Sequence, residues 1–206
     1  MQHAIGELVS EAARRFGDKV ALIHEGRHWS FNALDEASNC LAASLQSLGI
    51  AAGDRVSLYA PNSAEWMIAY YAVLKIGGVV NPLNLMLTPQ EAAYAMNDCC
   101  AAAVFGTAEK IAALAPVRQQ TQLRHLISHG PKQAVALPED TLTFDDLVER
   151  GKGLPLVIPA IEAGSLSTIG YTSGTTGHPK GAMLTHEGIL LNTAMTATMQ
   201  DRKSVV

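Results

Sequence analysis

The residue types best suited to chemistry are concentrated at positions 169–181, which read Ile-Gly-Tyr-Thr-Ser-Gly-Thr-Thr-Gly-His-Pro-Lys-Gly. Four hydroxyl groups fall within five residues there, at Thr172, Ser173, Thr175 and Thr176. Each hydroxyl can donate a hydrogen bond to an anionic oxygen, and Lys180 adds a full positive charge after the rigid Pro179. The stretch therefore predicts a loop that binds phosphate or polyphosphate.

The glycines of the same stretch favour that interpretation. Gly174, Gly177 and Gly181 permit positive φ angles and close approach of the backbone, so successive N–H groups can surround an anion. A solvated turn rich in Ser, Thr and Gly is the simpler alternative, but the stretch contains no acidic residue. It also lacks the Gly-Lys-Ser or Gly-Lys-Thr of a P-loop, so its glycines alone do not identify a nucleotide site.

A family resemblance is more specific. Residues 171–181, followed by Met183-Leu-Thr-His186, resemble the phosphate-binding signature of the adenylate-forming (AMP-binding) superfamily, which includes acyl-CoA synthetases, luciferases and peptide-synthetase adenylation domains. Residues 74–84 read Leu-Lys-Ile-Gly-Gly-Val-Val-Asn-Pro-Leu-Asn and are similar to an early segment of the same family. The two segments occur in the order that the family requires.

The resemblance implies a reaction and a set of binding residues. Members activate a carboxylic acid with ATP to form an acyl-adenylate, and most then transfer the acyl group to CoA. The residues implied to contact the ATP phosphates are Thr172, Ser173, Gly174, Thr175, Thr176, Gly177 and Lys180. Thr175 is the hydroxyl expected near Mg²⁺, which ATP itself would mainly hold. His186 matches the family's Thr-His after the loop, and both a ligand contact and a structural role remain open for it.

The resemblance also sets an expectation for fold and completeness. The expected fold is the N-terminal portion of the large adenylate-forming domain: α/β, with a mostly parallel sheet flanked by helices and incomplete at its C-terminus. Residues 1–206 are expected to form one partial AMP-binding domain without the C-terminal subdomain or a catalytic residue, and to be inactive alone. Two alternatives stay open, an adenylation domain that loads a carrier protein and a non-catalytic nucleotide-binding fragment.

Composition restricts the class of protein further. The chain has 48% hydrophobic and 17% charged residues and a net charge of -4, so it predicts a folded domain without affinity for nucleic acid. Residues 1–19 contain six charged side chains and no apolar core, which predicts a cytoplasmic protein without a signal peptide. The most apolar region, residues 66–87, is interrupted by Lys75 and Gly77-Gly78, so no membrane span is expected. The oligomeric state is left open.

The elements around the loop predict how it is positioned. Helices are expected over residues 5–16, 34–48, 64–76 and 88–97. Strands are expected over residues 20–24, 28–31, 55–60 and 101–105. Their alternation predicts parallel strands with helical connections. Two further strands, at 165–171 and 182–185, should enter and leave the phosphate loop.

The proline-rich segment before the phosphate loop, the helix after it and the three cysteines give more general predictions. Residues 130–163 are rich in proline and are expected to be a surface excursion with one helix at 144–150. Residues 187–199 are expected to form the last helix, with Thr185 as its N-cap and its apolar residues in the core. Three cysteines, at 40, 99 and 100, have no spacing typical of zinc or redox sites, and are predicted to be reduced thiols.

Overall fold

The computed structural model describes residues 4–130, 135–172 and 179–201. Its helices are α1 (Leu8–Phe16), α2 (Phe31–Ser47), α3 (Ala64–Lys75), α4 (Pro89–Asp98), α5 (Ala108–Leu114), α6 (Phe144–Gly151) and α7 (His186–Asp201). Its strands are β1 (Val20–His24), β2 (Arg27–Ser30), β3 (Arg55–Tyr59), β4 (Val79–Pro82), β5 (Ala101–Thr107), β6 (His125–His129), β7 (Thr141–Thr143), β8 (Leu166–Thr172) and β9 (Lys180–Thr185). Short 3-10 helices cover Ile5–Glu7 and Ala115–Gln120.

The main sheet has seven strands in the order β7-β6-β5-β3-β4-β8-β9, and β1 and β2 form a separate hairpin. All neighbours in the main sheet are parallel except β8 and β9, which are antiparallel. Strands β3, β5 and β6 are almost wholly buried, as expected for parallel strands covered by helices on both faces. The predicted α/β class and its mostly parallel sheet are confirmed.

Local sequence signals explain where several helices begin. Thr88 and Glu91 exchange the two hydrogen bonds of a capping box at the start of α4, with Pro89 in the first turn. Ser30, Ser63, Thr107 and Thr143 cap the starts of other helices in the same way through their side-chain oxygens. Helix α3 is followed by Gly77 with φ +74°, a conformation that glycine adopts without strain.

The core lies on both faces of the sheet. One cluster is formed mainly by α2, α3 and α6 with β3, and the other by α4, α5 and β5. A buried ion pair joins α2 to α3, because Lys75 Nζ donates to Asp35 Oδ1 at 2.5 Å and to Asn39 Oδ1 at 2.6 Å. Burial lowers the pKa of Lys75, and these two acceptors offset part of the cost of burying its charge.

Residues 130–163 contribute more than a surface excursion. Strand β7 adds the outermost parallel strand beside β6, and α6 buries Phe144 and Leu147 against the core. Ser44 of α2 donates to the Leu147 carbonyl at 2.5 Å, which fixes the two helices together. The predicted helix was therefore right, while the strand was missed because its three residues are too few to show alternation.

Helix α7 differs from the expectation of a core helix. Thr185 Oγ1 accepts from the Gly188 N–H at 3.1 Å, as predicted for an N-cap. Ile189 and Leu190 pack against the core, but Leu191, Met195 and Met199 are half or more exposed. Apolar residues occur around the whole circumference of α7. When one side of the helix packs on the sheet, the apolar residues of its other sides are not covered by any described residue.

No helix in the described ranges is long and apolar enough to cross a membrane. Cys40, Cys99 and Cys100 are free thiols, as predicted. Burial raises the pKa of Cys99 to about 11, so this thiol stays protonated at neutral pH and is a poor nucleophile.

Candidate functional site

The two ends of the predicted phosphate loop are neighbours in the structure. Thr172, the last residue of β8, pairs with Lys180, the first residue of β9, and both are exposed. The loop thus connects two strands, as expected, and no helix begins directly after it. The two strands are antiparallel. The predicted phosphate ligands Ser173, Gly174, Thr175, Thr176 and Gly177 lie outside the described residues.

The environment of Lys180 suits an anion. Its ammonium group forms no ion pair with any residue of the described ranges, and its exposed position leaves it free to meet a charged ligand. Thr172 presents a hydroxyl beside it on the neighbouring strand. A cation and a hydroxyl at the mouth of a loop are the groups expected to contact phosphate oxygens.

Gly181 has a different role from the one its sequence predicted. It lies within β9 opposite Tyr171, and its φ is not among the positive values. A Cβ atom there would lie 2.9 Å from Ile169 Cγ2 and 3.2 Å from Tyr171 Cζ. The absence of a side chain therefore makes room for the residues of β8, and does not serve to form an anion-binding turn.

Two polar residues that the sequence did not single out hold β8 in place. Asn81 of β4 is fully buried, and its Nδ2 donates to the Ile169 carbonyl at 2.9 Å while its Oδ1 accepts from Ser57 Oγ at 2.8 Å. Tyr171 donates its phenolic hydrogen to Asp98 Oδ2 at 2.5 Å. Asn81 belongs to the family-like segment at 74–84, but neither of its contacts can be read from local pattern.

A separate cleft follows the ends of β3, β5 and β6. It has a volume of about 440 Å³, and its charged lining consists of the guanidinium of Arg27 and four carboxylates, those of Glu25, Glu65, Glu109 and Asp145. Neither Thr172 nor Lys180 lines it. Because the carboxylates outnumber the single guanidinium, the cleft suits a polyphosphate less well than the β8–β9 loop, which remains the candidate.

His186 has a structural contact. Its ring is completely buried directly after β9, and its Nδ1 accepts from the Ile5 N–H at 3.2 Å, which ties the chain after the loop to the start of the protein. Burial lowers the pKa of His186, and its Nε2 has no hydrogen-bond partner among the described residues. Of the two roles left open by the sequence, this contact supports the structural one.

The burial of His186 predicts an acid-sensitive fold. Below the ordinary histidine pKa of 6.5, the unfolded chain takes up a proton that the folded chain does not, so the free energy of unfolding should fall as pH decreases. The slope is at most about 1.4 kcal/mol per pH unit for each such histidine. His129, whose pKa burial also lowers, should contribute in the same direction. Denaturant unfolding between pH 7 and 5 measures the slope.

The control is His186→Asn, which keeps an acceptor near the position of Nδ1 but does not titrate. We expect a shallower slope in this variant, whatever its absolute stability. An unchanged slope would show that His186 does not cause the acid sensitivity.

No group of three or more His, Cys, Asp or Glu side chains that could hold a metal ion occurs in the part of the chain that the structure describes. The Mg²⁺ ligand predicted at Thr175 is outside those ranges and stays a prediction.

Comparison with known proteins places this arrangement in a family. The profile of the family described as "AMP-binding enzyme" matches residues 9–206. The chain belongs to the AMP-binding enzyme family. The resemblance found in the two sequence segments is thereby confirmed.

Relatives of this AMP-binding chain include a long-chain-fatty-acid–CoA ligase of Salmonella typhimurium, 33% identical over 209 residues, covering 90% of this chain and 37% of the relative. A 4-hydroxybutyrate–CoA ligase of Metallosphaera sedula is 31% identical over 188 residues, covering 89% and 34%. An anthranilate CoA ligase solved with anthranoyl-AMP superposes with a TM-score of 0.82 at 25% identity, covering 90% and 35%. The chain thus spans little more than a third of these proteins and corresponds to their N-terminal portion.

Proposed function

We propose that the protein containing this chain is an acid–CoA ligase that activates a carboxylic acid with ATP. The proposed reaction forms acyl-AMP and pyrophosphate, and then a thioester with CoA. The observation that carries it is the pairing of Thr172 with Lys180 at the ends of the phosphate signature, in a chain of the AMP-binding family. The named relatives are CoA ligases, which supports CoA as the acceptor over a carrier protein.

The chain's own residues would act by binding and orienting the triphosphate. Lys180 would pair with phosphate charge, and the hydroxyls of Thr172, Ser173, Thr175 and Thr176 would donate to phosphate oxygens. The exposed ammonium group of Lys180 is suited to bind the triphosphate, because it forms no ion pair with a carboxylate of the described residues. When bound, Mg²⁺ would neutralise further phosphate charge, with Thr175 as the proposed protein contact. No protein nucleophile is required, since the substrate carboxylate attacks the α-phosphate.

The names of the relatives indicate a broad class of carboxylic acid substrates. Their names include long-chain fatty, short hydroxy and aryl acids. We therefore propose a fatty or aryl acid.

The experiment is pyrophosphate release by the full-length protein with ATP, Mg²⁺ and a panel of fatty, hydroxy and aryl acids. We expect release that depends on both ATP and acid, followed by thioester formation when CoA is added. Acyl transfer to a carrier protein but not to CoA would favour the alternative adenylation domain. Absence of acid-dependent release with every acid would overturn the proposal in favour of a non-catalytic nucleotide-binding protein.

A further inference from the structure

The stem of the phosphate loop, defined here as residues 169–172 of β8, is held to the rest of the sheet by side chains. We infer that Asn81 and the Tyr171–Asp98 pair are positioning residues for the phosphate loop, an inference that rests on the proposed function. They touch neither ATP nor the acid in this assignment. They act by fixing strand β8, which ends at Thr172, directly before the predicted phosphate ligands in the sequence.

The backbone alone holds β8 weakly to the parallel part of the sheet. Strands β4 and β8 share one registered pair, Val80 with Thr168, whereas β3 and β5 share five. Strand β4 ends at Pro82, which has no N–H with which to extend the ladder. The Ile169 carbonyl instead accepts from the side chain of Asn81, so this amide takes the place of a missing backbone donor.

Asn81 is itself fixed. Its Oδ1 accepts from Ser57 of β3, and both side chains are completely buried. One amide therefore links three adjacent strands, β3, β4 and β8. Because the amide itself is completely buried, it cannot turn without leaving buried polar atoms unpaired.

The second contact lies two residues further along, at the end of β8. Burial, and then the hydrogen bond to Asp98, hold the pKa of Tyr171 well above its ordinary value, so the phenol remains a donor at neutral pH. Its acceptor Asp98 is the last residue of α4, and the carbonyls of Cys99 and Cys100 that follow are held by the Arg55 guanidinium. The end of β8 is thus anchored to a fixed helix terminus.

Gly181 completes the arrangement from the other strand. Any side chain at this position would meet Ile169 and the ring of Tyr171, as described above. The glycine permits the tyrosine to lie across β9 and reach α4. This explains, for this chain, why the residue after Lys180 has no side chain.

The test is Tyr171→Phe in the full-length protein, which removes the hydroxyl and keeps the ring. We expect the KM for ATP to rise about threefold to tenfold, the range of one partly exposed hydrogen bond to a carboxylate. The KM for the carboxylic acid should be unchanged. Asp98→Ala should produce the same change, and the double variant should be no worse than either single variant because both remove one bond.

Tyr71→Phe is the matched control, because it makes the same chemical change on α3, on the opposite face of the sheet. We expect it to leave the KM for ATP unchanged. If wild-type protein releases pyrophosphate but Tyr171→Phe has a normal KM for ATP, the positioning role is overturned and the proposed function stands. A lower melting temperature with both KM values unchanged would likewise reduce Tyr171 to a structural residue. Inactive wild-type protein would overturn the proposed function itself.

Discussion

Replacing Lys180 with alanine is expected to lower acid-dependent pyrophosphate release about tenfold to a hundredfold in the full-length protein. A charge-assisted contact to phosphate contributes roughly 1.5 to 3 kcal/mol, which corresponds to that range. The side chain is exposed and forms no ion pair with any described residue, so its removal should not disturb the fold. Initial rates over a range of ATP concentrations, with melting temperatures measured in parallel, provide the comparison.

Lys152→Ala is the control for a lost surface charge. Lys152 is exposed and pairs with Glu149 on α6, away from the β8–β9 hairpin, and its substitution should leave turnover unchanged. Lys180→Arg keeps the charge with a different geometry and should fall between alanine and wild type. If Lys180→Ala turns over at the wild-type rate, Lys180 does not belong to the phosphate site.

The largest effect on stability is expected from Gly151→Ala, at the end of α6. A Cβ atom at this position would lie less than 2 Å from the Cys40 carbonyl oxygen and 2.4 Å from its carbonyl carbon. Because the obstacle is the backbone of α2, the two helices would have to separate, at a cost of roughly 3 kcal/mol. A domain of this size should then melt about 6 to 12 °C lower.

Gly153→Ala is a close control, two residues away. No heavy atom lies within 4 Å of a Cβ built there, and the change should alter stability by about 0.5 kcal/mol or less. The test compares the melting temperatures of Gly151→Ala, Gly153→Ala and wild-type protein. Equal melting temperatures for the two variants would mean that α6 does not pack on α2 as closely as described.

Short-range signals account for most of the correct predictions. The capping box at Thr88, the glycines after α3 and the periodicity of α1 to α4 are properties of a few neighbouring residues, and each element was found close to its predicted position. The α/β class followed from their alternation. Helix α5 and strands β4, β6 and β7 were missed. Each has seven residues or fewer, which leaves little periodicity to recognise.

The features that could not be predicted depend on contacts distant in sequence. Asn81 and Ile169 are 88 residues apart, Tyr171 and Asp98 are 73 apart, and His186 contacts Ile5 across 181 residues. Lys75 was read only as an interruption of an apolar segment, although it is a buried ion-pair partner of Asp35. The phosphate residues themselves came from motif and family resemblance, and their roles remain predictions for the experiments above.

The long separation between β4 and β8 has a consequence during synthesis. At about 5 to 20 residues per second, the 88 residues between Asn81 and Ile169 take roughly 4 to 18 s to translate. Throughout this interval β4 can already pair with β3, but the edge of β4 that later pairs with β8 has no partner strand. An open apolar edge invites pairing with other nascent chains. Pro82, which lacks a backbone donor, shortens the stretch of β4 that such a chain could join, so the proline that makes Asn81 necessary also protects the unfinished sheet.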